Sequence, residues 1–289
     1  MAARSYSITA EAGKPDERPV YDSARLVVPF VEEFKELARY RDLVKHLIAR
    51  NIKTRYKRSA LGILWTMLNP LLMMLVLTFV FSEVFRASII SRSYSAYALA
   101  GLLLWNFFSQ TTMGAMSELI WGGGLLRHIY LPRAIFAVCA LGTSLVNLLL
   151  SLIPLFLIMI VTGVPIRPIA LILPGPIILT AMFALGVAFF LSRIAAYYHD
   201  VMEMYQILLT AWMYLTPIIY PKEIIPARFR WLFKINPMYH LMEIFREPLT
   251  VGRMAGPKTW AAAAAAALLT LVFGWWFFSR KADELAYRI

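Results

Sequence analysis

Apolar residues in this chain come in long runs rather than at alternate positions. Six runs stand out, at about residues 61–85, 95–118, 134–162, 169–192, 201–219 and 257–279. A helix needs roughly 20 apolar residues to cross a bilayer core, so the pattern predicts an all-α membrane protein with six transmembrane helices. Ahead of the first run the period changes. Phe34, Leu37, Leu43, Leu47, Ile48 and Ile52 recur at helical spacing among polar residues. They predict an amphipathic helical segment over 30–58, lying along the membrane interface. Residues 1–29 form a flexible tail by the same criterion. Residues 1–20 are polar and proline-containing, unlike a cleavable signal peptide, so the first span is expected to act as the insertion signal.

The segment 220–256 is too polar to cross as one span, yet rich in Ile, Phe, Trp and Met. Pro221, Pro226, Pro237 and Pro248 divide it, which predicts two short helices re-entering the membrane where protein or a wet cavity surrounds them. An ordinary surface loop is the alternative. Breakers punctuate the rest. Pro70 is expected to free a carbonyl and kink the first span, and Pro154 to interrupt the third. The triplet Gly122–Gly124 is expected to end the second helix, leaving 125–130 as a short surface helix stopped by Pro132. Asn106, Gln110, Met113 and Ser117 share one helical stripe, with Trp105 and Ser109 beside it. Polar groups at membrane depth avoid lipid, so this stripe faces a cavity or other helices, where interhelical hydrogen bonding is an equal alternative.

Composition agrees, with 60% hydrophobic residues. Charge adds orientation. Residues 39–58 hold eight Lys and Arg against Asp42 alone, and Arg127, His128 and Arg133 lie between the second and third spans. Cations favour the cytoplasmic side, which puts both termini there. Residues 220–258, with seven Lys and Arg against three Glu, run counter to this. The net charge of +12 points to anionic lipid headgroups or an acidic partner surface, not nucleic acid. Cys139 is the only cysteine, so no intrachain disulfide forms. The sequence has no GxxxxGK[ST] loop. Its four histidines show no metal-ligand spacing, and no Ser–His–acid or paired-carboxylate pattern stands out. Asp200 and Glu203 read as a salt bridge or helix N-terminal placement. Trp65, Trp260, Trp275 and Trp276 fit an interfacial belt, whereas Trp105 and Trp212 sit deeper. A transporter built this way needs a partner to supply energy.

Three stretches carry a family resemblance. The first is Arg41-Asp42-Leu43 with Arg55-Tyr56-Lys57-Arg58-Ser59, Leu61-Gly62, Trp65 and Pro70. The second is Leu126-Arg127-His128-Ile129-Tyr130-Leu131-Pro132-Arg133. The third is Thr216-Pro217-Ile218-Ile219-Tyr220-Pro221, with Asn236-Pro237 and Glu243-Ile244-Phe245-Arg246. In this order, from about residue 30 to the end, they resemble the permease subunits of type-2 ABC transporters that export polysaccharides. The resemblance implies a permease in the bacterial cytoplasmic (inner) membrane. It would move a lipid-linked O-antigen, capsule, galactan or teichoic-acid-like polymer. Two copies would form a twelve-span dimer joined by two ATP-binding cassette subunits, which carry the ATP and Mg, this chain binding no cofactor itself.

The resemblance assigns ATPase coupling to Arg127, His128, Tyr130, Pro132 and Arg133, with His199 and Asp200 on the second connection. His199-Asp200 departs from the family's usual Arg-Asp there. Arg41, Arg55, Tyr56 and Arg58 belong to the interfacial helix. Aromatic faces stack on pyranose C–H faces while amides bond hydroxyls, so Trp105, Trp212, Tyr214 and Tyr220, with Asn106 and Gln110, are candidates for the cargo path. Arg228 and Arg230 are candidates for a pyrophosphate or headgroup contact, with plain solvation as the alternative. The alternative cargo is a drug or small lipid. A membrane-embedded glycosyltransferase or acyltransferase would need an interfacial catalytic cluster, and a secondary transporter would show matching broken helices in two halves. Neither pattern is visible.

Overall fold

The computed structural model describes residues 39–55, 57–80, 94–126, 132–198, 200–221, 224 and 226–280. Within them the chain is helical and contains no strand. The elements are α1 (Arg41–Arg55), α2 (Leu64–Phe79), α3 (Tyr94–Leu126), α4 (Ala134–Val161), α5 (Pro174–Tyr197), α6 (Val201–Tyr214), α7 (Arg230–Ile235), α8 (Pro237–Thr250) and α9 (Pro257–Ser279). Short 3-10 turns precede α5 and α7.

Four helices are long and apolar enough to cross a membrane, over Gly62–Phe79, Ala134–Val161, Pro168–Tyr197 and Pro257–Ser279. Large apolar side chains stand exposed along them, including Leu75, Val76, Phe79, Ile153, Leu157, Leu269 and Val272. Such continuous apolar faces suit lipid rather than water. The chain is therefore a multi-pass membrane protein. The 33 residues of α3 give it a length of about 50 Å, well beyond the roughly 30 Å of a bilayer core. The 14 residues of α6 reach only about 21 Å, short of that thickness.

The core lies where α3, α4 and α5 pack together, with α9 along α5 and α8 against α3. Leu99, Leu104, Phe108, Met116, Leu155 and Phe245 are fully enclosed there. Backbone sets the α5–α9 spacing. A Cβ on Gly186 would lie 2.3 Å from the Thr270 carbonyl oxygen, and one on Gly274 would lie 2.0 Å from that of Gly186. Only paired glycines allow so close a crossing, the arrangement that small residues give membrane helices.

Several sequence expectations change here. The Gly122–Gly124 triplet does not end the second helix, because α3 continues to Leu126. A Cβ on Gly122 would stand 2.6 Å from the Phe136 ring, so that glycine admits an aromatic side chain from α4. Pro154 lies inside an unbroken α4 and Pro248 inside α8. The proposed surface helix over 125–130 is not separate at its start, since Leu125 and Leu126 end α3, and residues 127–131 lie outside the described set. Among the described residues, part of the apolar stripe of α1 packs on other helices. Leu47 is buried with Ala115, Leu119, Phe136, Cys139 and Ala140, and Tyr40, Leu43, Val44 and Ile48 pack on the same cluster. Burying one such leucine stabilises by about 1.5–3 kcal/mol. Two short helices do occupy the stretch before the last long helix, α7 and α8.

Candidate functional site

The first proline of the long helices organises a polar hollow. Pro70 has no N–H, so the Thr66 carbonyl four residues earlier loses its helical donor. The Ser151 hydroxyl of α4 supplies one, donating to Thr66 O at 3.0 Å. This bond fastens α2 to α4 beside a cavity of about 400 Å³. From α2 the cavity is lined by Trp65, Thr66, Asn69 and Pro70; from α3 by Asn106 and Gln110; from α4 by Ser144, Asn147 and Ser151; and from the end of α1 by Arg55. Three helices and one guanidinium thus turn polar groups toward one space inside an apolar bundle.

A short chain of bonds crosses it. Arg55 Nη1 donates to Gln110 Oε1 at 3.5 Å, and Asn147 Nδ2 donates to the same oxygen at 3.0 Å. About two turns toward the end of α3, Asn51 Nδ2 donates to Glu118 Oε1 at 2.8 Å. That bond holds α1 to α3 at a second, smaller hollow of about 210 Å³ that Arg50, Ser117, Glu118 and Trp121 line.

The structure separates the sequence-predicted path residues into three environments. Asn106 and Gln110 share the cavity. Trp105 and Trp212 lie together elsewhere, ring centroids 6.1 Å apart and edge to face, in an aromatic cluster with Phe108 and Phe183. Trp105 is 5% exposed, enclosed between α3, α5 and α6. Tyr214 is exposed, and its carbonyl accepts the Tyr220 hydroxyl at 2.7 Å. Tyr220 edges an apolar hollow with Phe229, Leu232 and Phe233.

Of the residues assigned to ATPase coupling, Arg127, His128, Tyr130 and His199 lie outside the described residues, as does Tyr56 of the interfacial set. Pro132 is buried, and Arg133 stands at the N-cap of α4. Asp200 is exposed at the N-cap of α6, with Glu203 in its first turn. Arg41 and Arg55 bound α1 and are exposed, and Arg58 makes the following turn with a φ of 68°.

The third motif stretch is a clamp. Arg246, 4% exposed, donates from Nη1 to Pro217 O at 2.8 Å and from Nη2 to Ile218 O at 3.1 Å, with its guanidinium 3.7 Å over the Tyr97 ring. Tyr94 donates to Ile219 O at 2.8 Å. Asn236 caps α8 by accepting from Met238 N at 3.0 Å, accepts from Trp212 Nε1 at 3.0 Å, and donates to Thr216 Oγ1 at 2.9 Å. The prolines of Thr216-Pro217 and Asn236-Pro237 therefore stop two helices whose loose ends are tied by side chains.

A family model described as ABC-2 type transporter matches residues 42–249. The chain belongs to the ABC-2 type transporter family. The cavity and the clamp both fall inside the matched region. Among relatives of this transporter chain is the O-antigen export system permease protein RfbA of Myxococcus xanthus. It is 32% identical over 216 residues, covering 73% of this chain and 82% of the relative. A protein of the same name from Klebsiella pneumoniae is 25% identical over 211 residues, 71% and 79% of the two chains. The polysialic acid transport protein KpsM of Escherichia coli is 23% identical over 217 residues, 72% and 81%.

Sequence reasoning missed Ser144, Asn147 and Ser151 as cavity residues. Their spacing of three and four puts them on one face of α4, so the stripe test that selected Asn106 and Gln110 also finds them. Gly101 and Arg246 were legible only as a motif or not at all.

Proposed function

We propose that this chain is the membrane permease of an ATP-driven exporter that moves a lipid-linked polysaccharide across the bacterial inner membrane. The observation that carries the reading is the 32% identity to an O-antigen export permease over most of both chains, inside a family match that spans 42–249. The polar cavity within an apolar bundle supports it, because hydroxyl-rich cargo needs hydrogen-bonding partners at membrane depth.

In this reading the chain crosses the membrane six times with both termini in the cytoplasm, α3 and α6 supplying the second and fifth spans, and 220–256 re-entering from the outer side. Two copies surround the path. Two separate subunits hydrolyse ATP with Mg and dock through α1, the basic sequence of residues 126–133 and Asp200. Trp105, Asn106, Gln110, Trp212, Tyr214 and Tyr220 remain the proposed path residues. Trp105 and Trp212 act there through the packing that shapes the path, since both are engaged in the aromatic cluster.

The test is ATP hydrolysis by the complex purified in lipid, after co-expression with the ATPase encoded nearby. Hydrolysis that depends on this chain and rises with lipid-linked glycan from the same cells is the expected result. The double variant Arg127→Glu, Arg133→Glu should abolish most of that stimulation. An intact, folded chain that binds no candidate ATPase would overturn the reading.

A further inference from the structure

The cavity between α2, α3 and α4 holds an acceptor that no described residue satisfies. Arginine can only donate, so the Gln110 atom facing Arg55 is its oxygen. The Asn147 atom facing that oxygen is then its NH2, which leaves Asn147 Oδ1 as an acceptor. This oxygen is buried with no hydrogen-bond partner among the described residues, on a residue 6% exposed. A buried acceptor left unpaired costs about 1–3 kcal/mol. Asn147 is among the residues that line the cavity.

The walls sharpen the ligand's chemistry. Asn69, Asn106, Gln110 and Asn147 bring four carboxamides and Ser144 a hydroxyl, while Arg55 is the one charged group among the described residues lining the space. Carboxamides and hydroxyls both donate and accept, as sugar hydroxyls do. A phosphodiester or pyrophosphodiester, which carries no P–OH at neutral pH, only accepts and leaves Asn147 Oδ1 unsatisfied. The volume of about 400 Å³ exceeds the roughly 30 Å³ share of one water more than tenfold, and falls within the size range of small-ligand sites.

We infer that this intraprotomer cavity is a subsite for one uncharged, hydroxyl-bearing sugar unit, with Asn147 accepting a hydroxyl and Gln110 holding the Asn147 amide in register. The inference rests on the polysaccharide reading above. It adds a site inside one protomer, bounded by α2, α3 and α4, separate from the Trp105–Trp212 cluster.

Thiol protection tests it on the full complex in inside-out and right-side-out vesicles. In a Cys139→Ala background, Ser144→Cys, nearly isosteric and leaving Asn147 in place, is labelled with a charged methanethiosulfonate, alone, with dephosphorylated glycan released from the same cells, and with inorganic pyrophosphate. Leu148→Cys, also on the cavity wall, serves as a second reporter should Ser144→Cys fail to assemble. Released glycan should slow labelling about fivefold or more, and pyrophosphate should not. Equal labelling with and without glycan overturns the site, as does equal protection by pyrophosphate. Absence of labelling in every condition also overturns it, since a space closed to the reagent admits no sugar. In parallel, the wild-type chain is returned to a strain deleted for its gene. Restored surface glycan without protection rejects the subsite alone. Unrestored surface glycan rejects the polysaccharide reading, and the subsite with it.

Discussion

Neighbouring residues in one helix can belong to different machinery, and α3 shows it at Trp105 and Asn106. About 100° of helical rotation separates them. One enters an aromatic cluster and the other a polar cavity. The residue-scale prediction concerns the buried guanidinium beside Gly101. A Cβ on Gly101 would lie 1.9 Å from Arg246 Nη2. Gly101→Ala therefore displaces Arg246 from the Pro217 and Ile218 carbonyls. Arg246→Met removes the same bonds and leaves buried carbonyls unpaired, at about 1–3 kcal/mol each. Each single variant should lower the thermal midpoint of the purified chain by several degrees. The double variant should lose less than the sum, because both act on one contact. Strict additivity would show that the glycine does not serve the clamp. Arg246→Lys keeps the charge but not the two-pronged fork, and should recover only part of the stability.

Elements in this bundle are placed by what their small residues permit. The α5–α9 crossing rests on Gly186 and Gly274, whose backbones meet too closely for any side chain. Gly274→Leu should force α9 away and sharply lower the amount of chain recovered from membranes. Ala261→Leu, on an exposed position of the same helix, should not. Equal recovery of the two would remove the crossing as a stability determinant. At α1, the apolar stripe packs on α4 while Asn51 bonds Glu118 of α3. Leu47→Glu should detach this helix and reduce ATPase co-purification several-fold, with the chain still in the membrane. Undiminished co-purification would show that docking does not use α1.

For the molecule as a whole, the exposed apolar faces of α2 and α6, with Leu75, Val76, Ile207 and Leu208, are available to lipid or to a second copy. Native mass measurement of the detergent-released complex should give two copies of this chain with two ATPase subunits. A mass of one and one would remove the dimer while leaving the family unchanged.

The all-helical membrane architecture was legible in the sequence because bilayer thickness converts directly into run length, and long apolar runs admit few other solutions. The polar stripe at Asn106 and Gln110 was legible because membrane-depth amides are expensive wherever no partner exists, and the carbonyl freed by Pro70 follows from covalent structure alone. Periodicity gives a residue's angle on its own helix, not the neighbour at that angle. Only the tertiary structure decided that α1 packs on protein, that Gly122 receives Phe136 instead of breaking α3, and that the short α6 falls below bilayer thickness. It also decided that Ser151 answers the Thr66 carbonyl and that Asn147 completes the cavity. Those outcomes depend on contacts between residues far apart in the chain, and no local pattern carries them.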